Sequence, residues 1–294
     1  MSRAPLPLPV LAALFAVALL SLMDALMKGA SLAVGAYSAA FLRSALGVIL
    51  VAPLWLARGG RWPAHAVLQV HLLRGVCGSF MGLTFFYALT KLPLAETIAI
   101  SFIAPVVSLY LAAIFLKERI RREAIIAALL GLVGTVIIVS GRLGDGELGE
   151  DAALGLIAIL VSALLYAFNL VISRHQAQLA QPLEISAFHS GVAALVLGLA
   201  APWLLRLPDG DAALLIAGSA LLTVIGMVAF AWAYARAEAQ VLVPMEYSGF
   251  LWASLFGWLF FREQLTVTTV LGTALIVFGC WLAARRKEPE QVAI

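Results

Sequence analysis

Asp24, Lys28, Arg43 and Glu96 in the first half of the chain, and Asn169, His189 and Glu246 in the second, interrupt stretches that are otherwise apolar. In hydrocarbon a charged side chain costs about 3 kcal/mol on insertion scales, so each is a functional-site candidate with a partner or ligand to be found. The chemistry open to such residues is ion pairing, proton carriage and recognition of small charged groups. Glu246 is the sharpest case: it lies well inside its apolar stretch and follows Pro244, whose ring removes a backbone donor. A carboxylate there can meet a substrate ammonium or carry a proton, or it can be held structurally by Asn169 or His189.

Asp24 and Lys28 are four apart on one helix face and admit two readings, a self-neutralising pair near the interface or part of a gate. Arg43 lies deeper and needs a carboxylate partner, with Asp24 and Glu96 nearest in level. By level, Asp24, Lys28, Arg43 and Glu96 form one expected polar tier, and Asn169, His189 and Glu246 an inverted copy of it, with an apolar chamber between. Arg74, near the start of its stretch, is expected to snorkel to the headgroups. His65, His71 and His175 are expected in loops or at a helix end, where solvent accounts for them.

Tyr87, Phe102, Tyr166, Trp232 and Tyr247 cluster at the level of the chamber, with Trp252 one turn beyond. Rings in membrane helices commonly pack or form interfacial belts. Facing a cavity, they offer stacking surface to a flat substrate. On that reading the substrate-binding candidates are Glu246, Tyr247, Phe102, Trp232, Tyr87, Asn169 and Tyr166. The gating or ion-pair candidates are Asp24, Lys28, Arg43, Glu96 and His189. Cys77 and Cys280 lie inside apolar stretches and read as packing residues, so neither a disulfide, a metal site nor a cofactor is expected.

These residues have to be positioned by membrane helices. With 63% hydrophobic and 12% charged residues and a mean hydropathy of +1.04, the chain is excluded from the soluble globular class. Ten runs have the length a helix needs to cross hydrocarbon, over about 8–28, 34–57, 71–90, 94–116, 123–141, 153–173, 183–206, 212–235, 240–261 and 265–284. Lipid offers no water to the backbone, so runs of this length are helices. The first run reads as a retained helix and not a cleaved signal.

The second half repeats the first at an offset of 145 residues: Asp24 falls on Asn169, Phe102 on Tyr247, Glu118 on Glu263 and Gly134 on Gly279. Leu116-Lys117-Glu118 and Phe261-Arg262-Glu263 close corresponding runs. Five crossings per half is an odd number, so the halves, 1–144 and 145–294, are expected to be inverted relative to each other. Ala104, Ser108 and Ala112 recur every four residues and map onto Gly249, Ala253 and Gly257, a spacing that lets helix backbones approach closely. Pro105 and Pro244 are candidate kinks.

Arginine and lysine fall mostly on one side if the N-terminus is cytoplasmic, which places both termini in the cytoplasm. The net charge of +3 then reflects topology, and no nucleic-acid partner is expected. The partners are membrane lipid and a small molecule; the sequence sets no oligomeric state, and a monomer is consistent with it.

Ten spans in two halves, Phe41-Leu42-Arg43, the basic-Glu ends at Glu118 and Glu263, and the glycine-bearing runs around Gly131, Gly134 and Gly279 resemble the drug/metabolite transporter superfamily, and within it the EamA-domain exporters. The resemblance implies an all-α integral membrane protein of the bacterial inner membrane. Its ten helices form two inverted five-helix repeats around a central cavity lined by helices 1 to 4 and 6 to 9, with helices 5 and 10 set aside.

By the same resemblance the expected function is export of amino acids, aromatic or hydrophobic ones favoured, or of similar small metabolites by alternating access, as in the YddG-like exporters. A multidrug or other metabolite exporter is the alternative on the same scaffold. HExxH, GxSxG and nucleotide-binding loops are absent, so the chain is not read as an enzyme or as driven directly by ATP.

Overall fold

A computed structural model describes residues 7–104, 107, 110–111, 122–144, 150–234, 236, 242 and 245–284. Pro105, Ser108, Ala112, Glu118, Pro244 and the acidic stretch after Gly144 lie outside them. Among the described residues every regular element is helical. They are α1 (Pro7–Val34), α2 (Ala36–Ala57), α3 (His65–Lys91), α4 (Leu94–Ser101), α5 (Arg122–Gly144), α6 (Glu150–Leu179), α7 (Pro182–Gly198), α8 (Gly210–Tyr234), α9 (Gly249–Phe261) and α10 (Val267–Ala284). A helical turn, Ala201–Leu204, follows α7.

Leu8–Val34, Ala36–Ala57, His65–Lys91, Glu150–Ser173 and Gly210–Phe230 are long and apolar enough to cross a bilayer, and shorter apolar stretches occur in α5, α7, α9 and α10. Their outer faces leave Leu11, Phe15, Ile49, Leu132, Leu195 and Leu214 exposed, an arrangement that suits lipid and not water.

Links are short and made by local chemistry. Gly35, at φ 86, reverses the chain between α1 and α2, a conformation that glycine adopts without a Cβ penalty. Pro93 opens α4, and the Asp209 side chain caps α8 by accepting the Ala212 amide at 2.8 Å.

Each helix of one half packs on a helix of the other. The pairs are α1 with α8, α3 with α6, α2 with α7, α4 with α9 and α5 with α10. Advancing every label by one half turns α1–α8 into α6–α3 and returns the remaining pairs to themselves. The interface therefore has the two-fold order of a duplicated bundle. Helices α5 and α10 press mainly on each other, through Gly134 and Gly272. A Cβ on Gly134 would stand 2.5 Å from the Gly272 carbonyl oxygen, so only glycine allows this crossing. Ala104, Gly249, Ala253 and Gly257 of the expected small-residue stripe are all buried, where α4 meets α9.

Candidate functional site

The expected single tier of Asp24, Lys28, Arg43 and Glu96 divides into two groups. At the end of the bundle where α1 finishes, Lys28 is 5% exposed and forms an ion pair with Glu263, just beyond α9. Lys28 also donates to the Leu92 carbonyl at 2.7 Å, and its ammonium lies 5.2 Å from the Phe261 ring centroid. Glu263 accepts the Leu94 amide at 2.8 Å. Lys28 is thus committed across the two halves, which corrects the reading of Asp24 and Lys28 as a self-neutralising pair. Glu96, also buried, accepts from Thr269 of α10 at 3.2 Å.

Local sequence explains how Glu263 arrives there. Arg262 ends α9 in the left-handed conformation at φ 58, and the Glu263 amide returns to the Gly257 carbonyl at 3.2 Å, a Schellman-type closure. The side chain then folds back over Gly257, where an added Cβ would come within 2.6 Å of its Oε2.

Arg43 and Asp24 form the second, deeper group. The Arg43 guanidinium lies 5.2 Å from the Phe86 ring centroid and donates to the Thr223 hydroxyl at 3.4 Å. Among the described residues no carboxylate comes within 4.0 Å of it, although Asp24 is near enough for the two charges to interact. Arg43 Nε is buried and has no hydrogen-bond partner. The same is true of Nδ1 of His189, which lies within the electrostatic reach of both Arg43 and Arg74. The His189 ring packs where a Cβ on Gly78 would stand.

Toward the other end of α3, Arg74 donates from Nε to Asn169 Oδ1 at 2.9 Å and from Nη1 to Gln176 Oε1 at 2.5 Å. Gln176 donates to His71 Nδ1 at 2.6 Å, and His71 Nε2 donates to Glu184 at 3.0 Å. Each link leaves one consistent donor assignment, so the network runs in one direction from guanidinium to carboxylate. Arg74 is therefore a half-buried connector and not a snorkelling cation. His71, 1% exposed and stacked on Phe188 at 4.6 Å, is likewise structural and not solvated. Sequence reasoning missed Gln176 and Glu184 altogether. Asn169 and Gln176, two helical turns apart on one face of α6, were the available signal.

Among the aromatic candidates, Phe102 and Tyr247 meet edge to face at 5.5 Å, joining α4 to the start of α9. Tyr87 packs with Phe102 against both large apolar clusters of the bundle. Glu246 lies within electrostatic reach of the Tyr166 hydroxyl. Trp232 is set apart, beneath the Arg236 guanidinium at 4.2 Å. Trp252, Phe256 and Phe260 stack along α9 at 6.1 and 6.0 Å. A cleft of about 500 Å³ opens beside Tyr87 at the Lys28 end of α3, lined also by Gly35, Tyr37, Thr84, Leu204 and Arg206.

A helical membrane bundle made of two pairing halves, with polar side chains at several depths, defines a carrier-type membrane protein. Two stretches of the chain, residues 7–140 and 153–285, match the model of the EamA-like transporter family, and the chain belongs to that family. It is 29% identical to the pseudopaline exporter CntI of Pseudomonas aeruginosa, over 95% of this chain and 96% of that one. It is 22% identical to a riboflavin transporter of Brucella anthropi, over 81% and 84% of the two chains. A shorter match, 30% identical over 37% of this chain and 38% of the relative, is to the aromatic amino acid exporter YddG of Ancylobacter novellus. A solved crystal structure with 23% identity superposes at a TM-score of 0.61, covering 94% of this chain and 96% of the other, and supports the fold. The protein is a multi-pass membrane transporter of this family.

Proposed function

We propose that the protein exports amino acids, aromatic or hydrophobic ones favoured, or similar small metabolites, from the cytoplasm by alternating access. The observation that carries this reading is the pair of inter-half fastenings at opposite ends of the bundle. Helices α1 and α3 are two crossings apart and run in the same sense, so Lys28 near the finish of α1 and Arg74 in the first half of α3 belong to opposite faces. Each fastening joins one half to the other, Lys28 to Glu263 and Arg74 to Asn169 and Gln176. A carrier that opens to one side at a time needs two separable closures of this kind.

With both termini cytoplasmic, the Lys28 closure faces the periplasm and the Arg74 network the cytoplasm. Between them, Phe102, Tyr247 and Tyr87 supply an aromatic wall, and Glu246 beside Tyr166 supplies an acidic spot on the cytoplasmic side. The exporters among the relatives agree in direction of transport. The boundaries 1–144 and 145–294 are proposed as those of the two repeats. Purified protein in liposomes, offered single labelled amino acids with and without a pH gradient, tests the reading. Transport of at least one aromatic or branched-chain amino acid is expected, and transport of none overturns it.

A further inference from the structure

Arg43, Asp24 and His189 act on one another electrostatically inside the bundle without an ion pair among them. Arg43 from α2 touches Phe86 of α3 and Thr223 of α8, and the charge of Asp24 on α1 acts on it. His189 from α7 lies within the electrostatic reach of Arg74 and, more weakly, of Arg43. With Phe86 of α3 and Thr223 of α8 both against its guanidinium, Arg43 points into the bundle. Two buried polar atoms there, Arg43 Nε and His189 Nδ1, have no hydrogen-bond partner among the described residues. In a membrane interior unpaired polar groups of this kind are costly. A packed scaffold would have removed them or paired them. The Gly78 backbone even leaves the space that the His189 ring occupies beside this point.

The two charges also fail to neutralise each other by contact. Arg43 and Asp24 interact but stay more than 4.0 Å apart, and among the described residues the guanidinium makes one weak hydrogen bond, to Thr223. An anion and a cation held apart inside a transporter, with unused donors between helices of both halves, match a ligand that carries both charges on neighbouring atoms. The carboxylate and ammonium of an α-amino acid are such a ligand.

We infer that Arg43, Asp24 and His189 form the headgroup pocket for an α-amino acid zwitterion. Arg43 takes the substrate carboxylate through Nε and an Nη, a bidentate geometry suited to a guanidinium. His189, in its Nδ1–H tautomer, donates to the same carboxylate. Asp24 receives the ammonium. The Phe86 ring beneath the guanidinium holds its plane for this contact.

This deepens the proposed export of amino acids and rests on it. The test uses the full-length protein in liposomes with three probes of one shape: L-phenylalanine, 2-phenylethylamine, which lacks the carboxylate, and 3-phenylpropionate, which lacks the ammonium. For the unaltered protein, phenylalanine is expected to compete at least about tenfold better than either analogue, since a site built for both charges leaves a buried group unpaired with each analogue. Asp24→Asn is expected to weaken phenylalanine and phenylethylamine about tenfold and leave phenylpropionate unchanged. Arg43→Gln is expected to weaken phenylalanine and phenylpropionate and leave phenylethylamine unchanged.

The arm with unaltered protein needs no substitution and stands if the variants do not fold. Equal competition by an analogue overturns the pocket, as does equal weakening of all three probes by both variants, or no weakening at all. Transport of phenylalanine together with any of these results overturns the pocket alone. Absence of transport of every amino acid overturns the pocket and the proposed function together.

Discussion

Lys28 and Glu263 stand 235 positions apart in the chain and meet as an ion pair, Lys28 buried and Glu263 half-buried, that ties the end of α1 to the link between α9 and α10. Two backbone groups of the α3–α4 link complete the contact, the Leu92 carbonyl against the ammonium and the Leu94 amide against the carboxylate. Removing one partner strands the other: Lys28→Met is expected to destabilise the protein by about 3 to 5 kcal/mol, the usual cost of an uncompensated buried charge. The exchange Lys28→Glu with Glu263→Lys is expected to recover only part of this, because each charge then faces the wrong backbone group. Thermal unfolding in detergent separates these outcomes; full recovery by the exchange would show that the backbone groups contribute nothing.

At the opposite end, Gln176 both accepts from Arg74 and donates to His71. Gln176→Leu therefore strands the buried His71 Nδ1, at about 1 to 3 kcal/mol, and leaves half-buried Arg74 with Asn169 alone. The network is expected to loosen where Cys77 Sγ donates to the Leu165 carbonyl at 3.3 Å. Maleimide labelling of Cys77, in a Cys280→Ser background, should quicken several-fold. An unchanged labelling rate would mean that this end stays closed without the network.

The crossing of α5 and α10 has no room for a methyl group. Gly134→Ala is expected to force the helices apart or prevent their association, lowering the yield of folded protein while the fraction that folds keeps its substrate affinity. Yield by size-exclusion chromatography and affinity in liposomes together test this. A changed affinity at normal yield would place α5 and α10 in the transport path.

Phe102 and Tyr247 predict a graded response. Tyr247→Phe keeps the edge-to-face pair and is expected to leave transport near its normal rate. Tyr247→Ala removes a pair worth about 1 kcal/mol and a share of the aromatic wall, and is expected to raise the KM for an aromatic substrate several-fold. Equal effects of the two substitutions would assign the role to the hydroxyl.

On the proposed orientation the cleft beside Tyr87 opens toward the periplasm. Thr84→Cys is expected to react with a membrane-impermeant thiol reagent added from outside, and the adduct to block transport, because Thr84 lines that space. Labelling without loss of transport would separate the cleft from the exit path.

Much of this architecture was legible in the residues themselves. The ten apolar runs, their duplication and the small residues between α4 and α9 follow from length, hydropathy and spacing, quantities that lipid reads one helix at a time. The candidate polar residues were visible for the same reason, since a charge in such a run stands out whatever it touches. Their partners were not. Asp24 is four residues from Lys28, yet Lys28 goes to Glu263; Arg74 is near a helix start, yet it turns inward to Asn169 and Gln176.

Sequence alone determined that this chain is a duplicated helical membrane protein, because hydrophobic run length and odd repeat number are local and countable. Only the tertiary structure decided which charge answers which, and which remain unanswered. Those pairings depend on helix rotation and depth, set by packing between the halves: by Gly257 admitting Glu263, Gly78 admitting His189, and α5 and α10 touching at Gly134. Rotation of a helix about its axis costs lipid almost nothing until a neighbouring helix resists it.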